Sequence, residues 1–362
     1  MPFFSIGVTT YDRKEMLIET LLSITSQTFS DFEVIVANDN PARTVTGESL
    51  GISDPRIRFI NHAKNLGEFE NMNSLLLASR GRYFTWLADD DLYAPEFLQT
   101  AHDALIKFDY PACVFTSFRD VSNGRVPEHK EIQLEDIHIF NGGEFLRRYL
   151  ARELKAIGVM GLFDRDYLKR TGGLEDVSDD GQGLYCEYMI IIKAGLLEKI
   201  AYIDVPLVFF RVHQATWLMA SSDAAQYQRA SINLVRKGID CFRQPQLLPD
   251  FDQNLSNILK WFMFDVVIAL RRVRSFRLPQ FVGFLFFARG YIASLRGSEI
   301  YRKAWRCLLK AEVWLGWVLL KQTFLARAPR PMIRLAYSIR SFFYRGTISN
   351  TTVGGNTVPS GR

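Results

Sequence analysis

The chain has 362 residues, 48% of them hydrophobic and 23% charged, enough to bury a sizeable core as two domains or as one large domain with an extension. Its four cysteines, Cys113, Cys186, Cys241 and Cys307, form no CxxC pair, which argues against a zinc knuckle or a disulfide framework and for a reducing compartment. The net charge of +5 hides an asymmetry, since residues 265–345 carry 16 Lys or Arg against three acids and leave residues 1–264 at −9. Met1-Pro2-Phe3-Phe4 runs straight into a strand-like stretch, without the basic, apolar and small-residue sequence of a secretory leader, so no secretory signal is expected.

From the N-terminus, apolar runs of strand length alternate with helical patterns, the rhythm of βαβ units around a largely parallel sheet and hence an α/β fold. A strand over 4–9 precedes a helix whose inner face is marked by Leu17, Leu21, Leu22 and Ile24. Strands are predicted over 32–37 and 57–60, a helix over 69–79, a strand over 83–87, a helix over 95–108 opened by Pro95, and a strand over 112–118. The middle of the chain is less regular, with the pair Gly172-Gly173, a helix-like run from Tyr185 to Ala194 and two strand-like runs over 200–203 and 207–211. No internal repeat is present, and the tail over 346–362, rich in Gly, Ser, Thr and Asn, is expected to be disordered.

The most informative stretch is Asp89-Asp90-Asp91, three adjacent carboxylates placed where a strand gives way to a proline-started helix. Their mutual repulsion, about 1 kcal/mol or more near a surface, calls for a cation or for hydrogen-bond donors, and oxygen-only ligands favour Mg²⁺ or Mn²⁺ over zinc. Taken alone, the run reads more readily as a solvated acidic turn capping the next helix. Its place in the chain weighs against that, because ligands of open α/β sheets bind beyond the carboxyl ends of the strands. Residues 9–13, 38–40 and 89–91 should then meet on one rim.

These residues resemble those of the family 2 glycosyltransferases, inverting enzymes with the nucleotide-sugar-binding fold called GT-A, over about residues 3–215. Thr9-Thr10-Tyr11-Asp12-Arg13 stands where the family has Pro-Thr-Tyr-Asn-Arg, and Asn38-Asp39 stands for its nucleoside-reading acidic pair. Asn65-Leu66-Gly67 with Asn73 matches its Asn-x-Gly and later Asn, with Met72 replacing the usual Arg. Gly81-Arg82-Tyr83 through Leu87-Ala88-Asp89-Asp90-Asp91 resembles Gly-x-Tyr-(apolar)₃-Leu-Asp-x-Asp-Asp, with Ala88 in place of the first Asp. Gly172-Gly173-Leu174-Glu175 resembles the acceptor-side Gly-Gly-Phe-Asp turn, Cys186-Glu187 the Glu-Asp pair, and Arg211-Val212-His213 the closing Arg-x-His.

The resemblance implies a GT-A domain over 1–215 and a single in-line displacement at the anomeric carbon of a nucleoside-diphosphate sugar, UDP-linked by first choice. The acceptor would be a hydroxyl of a glycan or lipid-linked saccharide in cell-surface polysaccharide synthesis. It casts Glu187 as the base that takes the acceptor proton. Asp90, Asp91 and His213 would hold Mn²⁺ or Mg²⁺, with Asp91 as second ligand or support and His213 equally readable as structural. Thr9, Thr10, Tyr11, Asp39, Asn65, Asn73 and Asp89 would surround the nucleotide, Arg13 would meet the diphosphate or merely solvate the first helix, and Gly172 and Gly173 would border the acceptor. The changes to Ala88 and Glu187 leave open a noncatalytic nucleotide-sugar-binding subunit of a glycan assembly complex.

Residues 216–345 form a basic, aromatic-rich extension with Trp261, Phe264, Phe281, Trp305, Trp314 and Trp317 among the arginines. Its longest charge-free run in the most apolar part, 278–288, has 11 residues and includes Pro279, short of the roughly 20 a spanning helix needs. Such helices either lie in the interface of an anionic membrane, here the inner, cytoplasmic face, or pack on the core or on a second subunit. No base-stacking module accompanies the basic charge, so a nucleic-acid partner is not expected.

Overall fold

Four parallel strands, apolar along most of their length, make one side of the sheet. The computed structural model describes residues 1–121, 126–127, 131–179, 181, 183–211 and 224–259 and six isolated positions further on. His213, nearly all of the extension beyond residue 259 and the tail over 346–362 lie outside the described residues. By compactness the chain divides into Met1–Cys307 and Leu308–Arg362, and the elements named here belong to the first unit.

The elements in chain order are β1 (Phe4–Thr10), α1 (Lys14–Thr25), β2 (Phe32–Asn38), α2 (Gly47–Leu50), β3 (Ile57–Asn61), α3 (Glu68–Ala78), β4 (Tyr83–Ala88), β5 (Leu92–Tyr93) and α4 (Phe97–Lys107). There follow β6 (Cys113–Val121), β7 (Ile137–Phe140), α5 (Gly142–Leu150), β8 (Leu162–Asp164), α6 (Arg165–Arg170), α7 (Cys186–Ala194), β9 (Ile200–Arg211) and α8 (Ala224–Phe242). Among the described residues these make one sheet in the order β3-β2-β1-β4-β8-β6-β9-β5, with β7 also paired to β9. Strands β3, β2, β1 and β4 run parallel, as do β6 and β9, while β8, β5 and β7 are antiparallel to their neighbours. This mixed α/β sheet, with four parallel strands side by side and helices flanking it, is the GT-A fold.

The buried runs explain the strands. Phe4, Ile6 and Val8 in β1, Val34, Ile35 and Val36 in β2, and Phe84, Trp86 and Leu87 in β4 are enclosed, as in a sheet with helices on both faces. On α1 the inner stripe is Leu17, Thr20, Leu21 and Ile24 at helical spacing, whereas Leu22 is 55% exposed, because it lies two residues beyond Thr20 and so turns away from the sheet. The expected pair of strands over 200–203 and 207–211 is a single strand, β9, interrupted where Thr116 pairs with Ile203 but Ser117 pairs with Pro206. Pro206 has no N–H to give the ladder, so an irregularity is the permitted place for it. The hydroxyl of Thr116 donates to the carbonyl of Val205 (2.7 Å), which satisfies the displaced backbone.

The Asp run does not pass directly into the helix. The two-residue β5 intervenes and pairs with β9, and α4 begins at Phe97, two residues after Pro95. Gln27 pins this corner by donating to the carbonyl of Ala94 (2.7 Å) and accepting from the N–H of Leu98 (2.9 Å), one of the donors a helix N-terminus leaves unsatisfied. Among the described residues no helix is long and apolar enough to cross a membrane.

Candidate active site at the carboxyl edge of the sheet

The register places Thr10 beside Asn38 and Thr9 beside Ala88, so the segments that follow β1, β2 and β4 leave the sheet together. The hydroxyl of Thr10 donates to Asp89 Oδ2 at 2.6 Å, the N–H of Tyr11 to the same oxygen at 3.4 Å, and Arg13 Nη1 reaches Asp89 Oδ1 at 3.1 Å and Asp90 Oδ2 at 2.8 Å. Tyr11 is 52% exposed, leaving a ring face at the rim. On the other side, Asp39 accepts the N–H groups of Leu66 (2.7 Å) and Gly67 (2.8 Å), just ahead of α3, where a carboxylate favours the helix dipole. Asn65 turns its own side-chain oxygen back to the N–H of Gly67 (2.8 Å).

The backbone of the Asp run is fastened from beneath. The buried hydroxyl of Thr20 lies 2.9 Å from the carbonyl of Asp89 and 2.8 Å from that of Asp91, while Arg211 donates through Nε to the carbonyl of Asp90 and pairs with Glu19. The N–H of Arg211 donates to Asp91 Oδ1 at 2.9 Å, and Asp91 Oδ2 is buried with no hydrogen-bond partner among the described residues. The three carboxylates therefore divide: Asp89 and Asp90 meet Arg13 at the rim, and Asp91 is fully enclosed. Thr20 was legible only as a polar residue inside an otherwise apolar helical stripe.

Across the rim, Asn73 is engaged with the turn after α6. Its amide accepts from the N–H of Leu174 (3.1 Å) and donates to that residue's carbonyl (3.3 Å), tying α3 to the Gly172-Gly173 turn. Both glycines have positive φ, and a Cβ on Gly173 would stand 2.7 Å from Asn73 Oδ1, so the turn requires glycine there. Glu175 is bracketed by Lys193 of α7 (2.6 Å) and Lys237 of α8 (2.5 Å); burial pushes its carboxyl up, but the two ammonium groups hold it below the ordinary range. Glu187 stands half-buried in the first turn of α7, whose backbone presses on Gly158 so closely that no side chain fits there.

Glu68, which the motifs leave out, connects the two sides. It is solvent-exposed in the first turn of α3, where desolvation, then the charge of Asp90, raises its pKa, with Arg13 opposing and Asp89 adding to the rise. Burial likewise pushes the Cys186 thiol up, with Glu187 and Glu68 reinforcing it, which places Glu68 within electrostatic reach of the first turn of α7.

The family model described as Glycosyl transferase family 2 matches residues 5–172, a span that holds the whole rim formed after β1, β2 and β4. Residues 5–172 belong to glycosyl transferase family 2. The glycosyltransferase YwdF of Bacillus subtilis is 28% identical over 173 residues, 45% of this chain and 62% of that protein. The GalNAc(5)-diNAcBac-PP-undecaprenol beta-1,3-glucosyltransferase of Campylobacter jejuni is 35% identical over 94 residues, 25% of this chain and 30% of that enzyme. The chain thus spans less than two thirds of either relative. The solved structure of S. aureus TarS 1–349 in complex with UDP-GlcNAc superposes with a TM-score of 0.50 at 14% identity, covering 86% of this chain and 90% of that one, and shares the fold.

In this family 2 domain the donor set at the rim is made of hard oxygens. No ready-made cage of three His, Cys, Asp or Glu side chains exists among the described residues. Asp89 and Asp90 suit instead an ion of the Mg²⁺ or Mn²⁺ type, which takes one or two carboxylates and completes its shell from substrate phosphates and water. The like charges crowded there, including Glu68, are what such an ion would relieve.

Burial pushes the Asp89 carboxyl up to about 6, against the hydrogen bond from Thr10 and the charge of Arg13. From about pH 4 to 6 the folded domain therefore keeps a proton that the unfolded chain has released, and stability is lost as pH rises through this window, by up to about 3 kcal/mol at neutrality. Urea unfolding of the native chain and of Asp89→Asn across that range should show the native chain losing ground to the variant as pH rises. Parallel profiles would contradict the assignment.

Proposed function

We propose that the chain transfers one sugar, with inversion, from a nucleoside-diphosphate donor to a hydroxyl of a glycan or lipid-linked saccharide. The observation that carries this reading is the meeting of Tyr11, Asp39 and the Asp89–Asp90–Arg13 cluster at the carboxyl ends of three adjacent parallel strands. Tyr11 offers its exposed ring to the base. Asp39 and Asp89, each with lone pairs remaining, accept hydroxyls of the ribose. Arg13 and Asp90 serve the diphosphate end, and Asp91, enclosed beneath, supports the turn. A divalent cation held by Asp90, when bound, supplies Lewis-acid charge for the departing diphosphate. Glu187, in the first turn of α7, takes the acceptor proton.

The acceptor class and a place at the inner membrane face are part of the same proposal; the Campylobacter relative, a glucosyltransferase of an undecaprenol-PP-linked saccharide, supports a lipid-linked acceptor. TarS, of the same fold, was solved with UDP-GlcNAc, which makes UDP the first probe. A thermal-shift panel of UDP, GDP and dTDP with and without Mn²⁺ tests the reading. A nucleotide at about 100 times its Kd should stabilise the chain by about 2.7 kcal/mol, and only with the ion present at full effect. No shift with any nucleoside diphosphate would overturn it.

A further inference from the structure

One nitrogen of Arg13, Nη1, stands 3.1 Å from Asp89 Oδ1 and 2.8 Å from Asp90 Oδ2, one contact to each carboxylate. The guanidinium is the solvent-facing member of the trio, its side chain 28% exposed against 5% and 8% for the carboxylates. Its Nη1 thus already occupies the space beside Asp89 Oδ1 and Asp90 Oδ2 that a cation bound to both would need. Arg13 also directly precedes α1 and makes no side-chain capping bond there, so its withdrawal costs the helix nothing at that end. A diphosphate offers a guanidinium paired oxygens in the planar, two-pronged geometry it binds best.

We propose that Arg13 is a resident counter-ion that blocks divalent cations from Asp89 and Asp90 until a nucleoside diphosphate draws the guanidinium onto itself. The proposal rests on the rim being a cation and diphosphate site. It makes ion and nucleotide bind as a pair, the nucleotide opening the carboxylates, and it keeps the rim from holding metal in the absence of donor. Arg13 is thus a positioning residue that sets the order of binding, in addition to any contact it makes with the diphosphate.

Titration calorimetry of the full chain with Mn²⁺, in the presence and absence of UDP, tests it. The native chain should bind Mn²⁺ weakly alone and more tightly with UDP. Arg13→Gln should bind Mn²⁺ alone at least about tenfold more tightly than the native chain, with most of the gain from UDP lost. Arg13→Lys, which keeps the charge, should return toward native behaviour. Lys14→Gln, the same charge change one residue away, should move the affinity by no more than about twofold. Unchanged or weaker Mn²⁺ binding by Arg13→Gln, or an equal gain in Lys14→Gln, overturns the role of Arg13 while UDP binding by the native chain leaves the site reading standing. A native chain that binds neither Mn²⁺ nor UDP overturns both.

Discussion

Replacement of Asp90 by Asn is expected to lower sugar transfer by about 10²–10³-fold, the scale of losing one preorganised electrostatic contact in a transition state. The substitution keeps the shape of the side chain, and the Asp90 carbonyl that Arg211 holds is untouched. Stability should not fall with activity. The Asp90 charge helps to raise the pKa of Asp91 and of Glu68, so its removal relieves repulsion in an enclosed site. A variant that melts at or above the native temperature, yet transfers sugar about 10²–10³-fold more slowly, is the expected outcome. Turnover within about threefold of native would remove Asp90 from the reaction, since even a single oxyanion-type contact contributes far more.

Glu187→Gln should separate chemistry from binding. Gln fills the same volume in the first turn of α7 but cannot accept a proton, and loss of a general base costs about 10²–10⁴-fold. UDP should bind the variant within about twofold of native affinity, because Asp39, Tyr11 and the Asp89–Asp90 pair stand on other strands and loops. Calorimetry with UDP beside steady-state turnover reads both quantities. Native turnover in this variant would return Glu187 to a helix-surface role, and Glu68, charged and within electrostatic reach of the same helix end, would become the next carboxylate to replace.

Much of the fold was legible because strands and helices announce themselves locally. Alternating apolar runs and helical stripes marked β1, β2, β4, α1, α3 and α4 to within a few residues. The nine-residue α5 escaped inside the stretch read as irregular, and so did elements too short to carry a period: β5 with two residues, β8 with three and β7 with four. Their identity comes from the strand they pair with. Leu22 misled for a related reason, since an apolar residue can be read as inward from composition even where its helical angle points it out.

The site divides the same way. The order of strands and loops determined that residues 9–13, 38–40 and 89–91 would share one rim, because the ends of parallel strands must lie together. Tertiary structure alone decided which of three neighbouring carboxylates is enclosed, that Arg13 lies between the other two, that Thr20 and Arg211 carry the turn, and that Asn73 serves the Gly172-Gly173 loop. Each of these depends on partners between 69 and 121 positions apart in the chain. Periodicity is a property of neighbours along the backbone, whereas the direction of a side chain at a turn is set by whatever the sheet register brings against it.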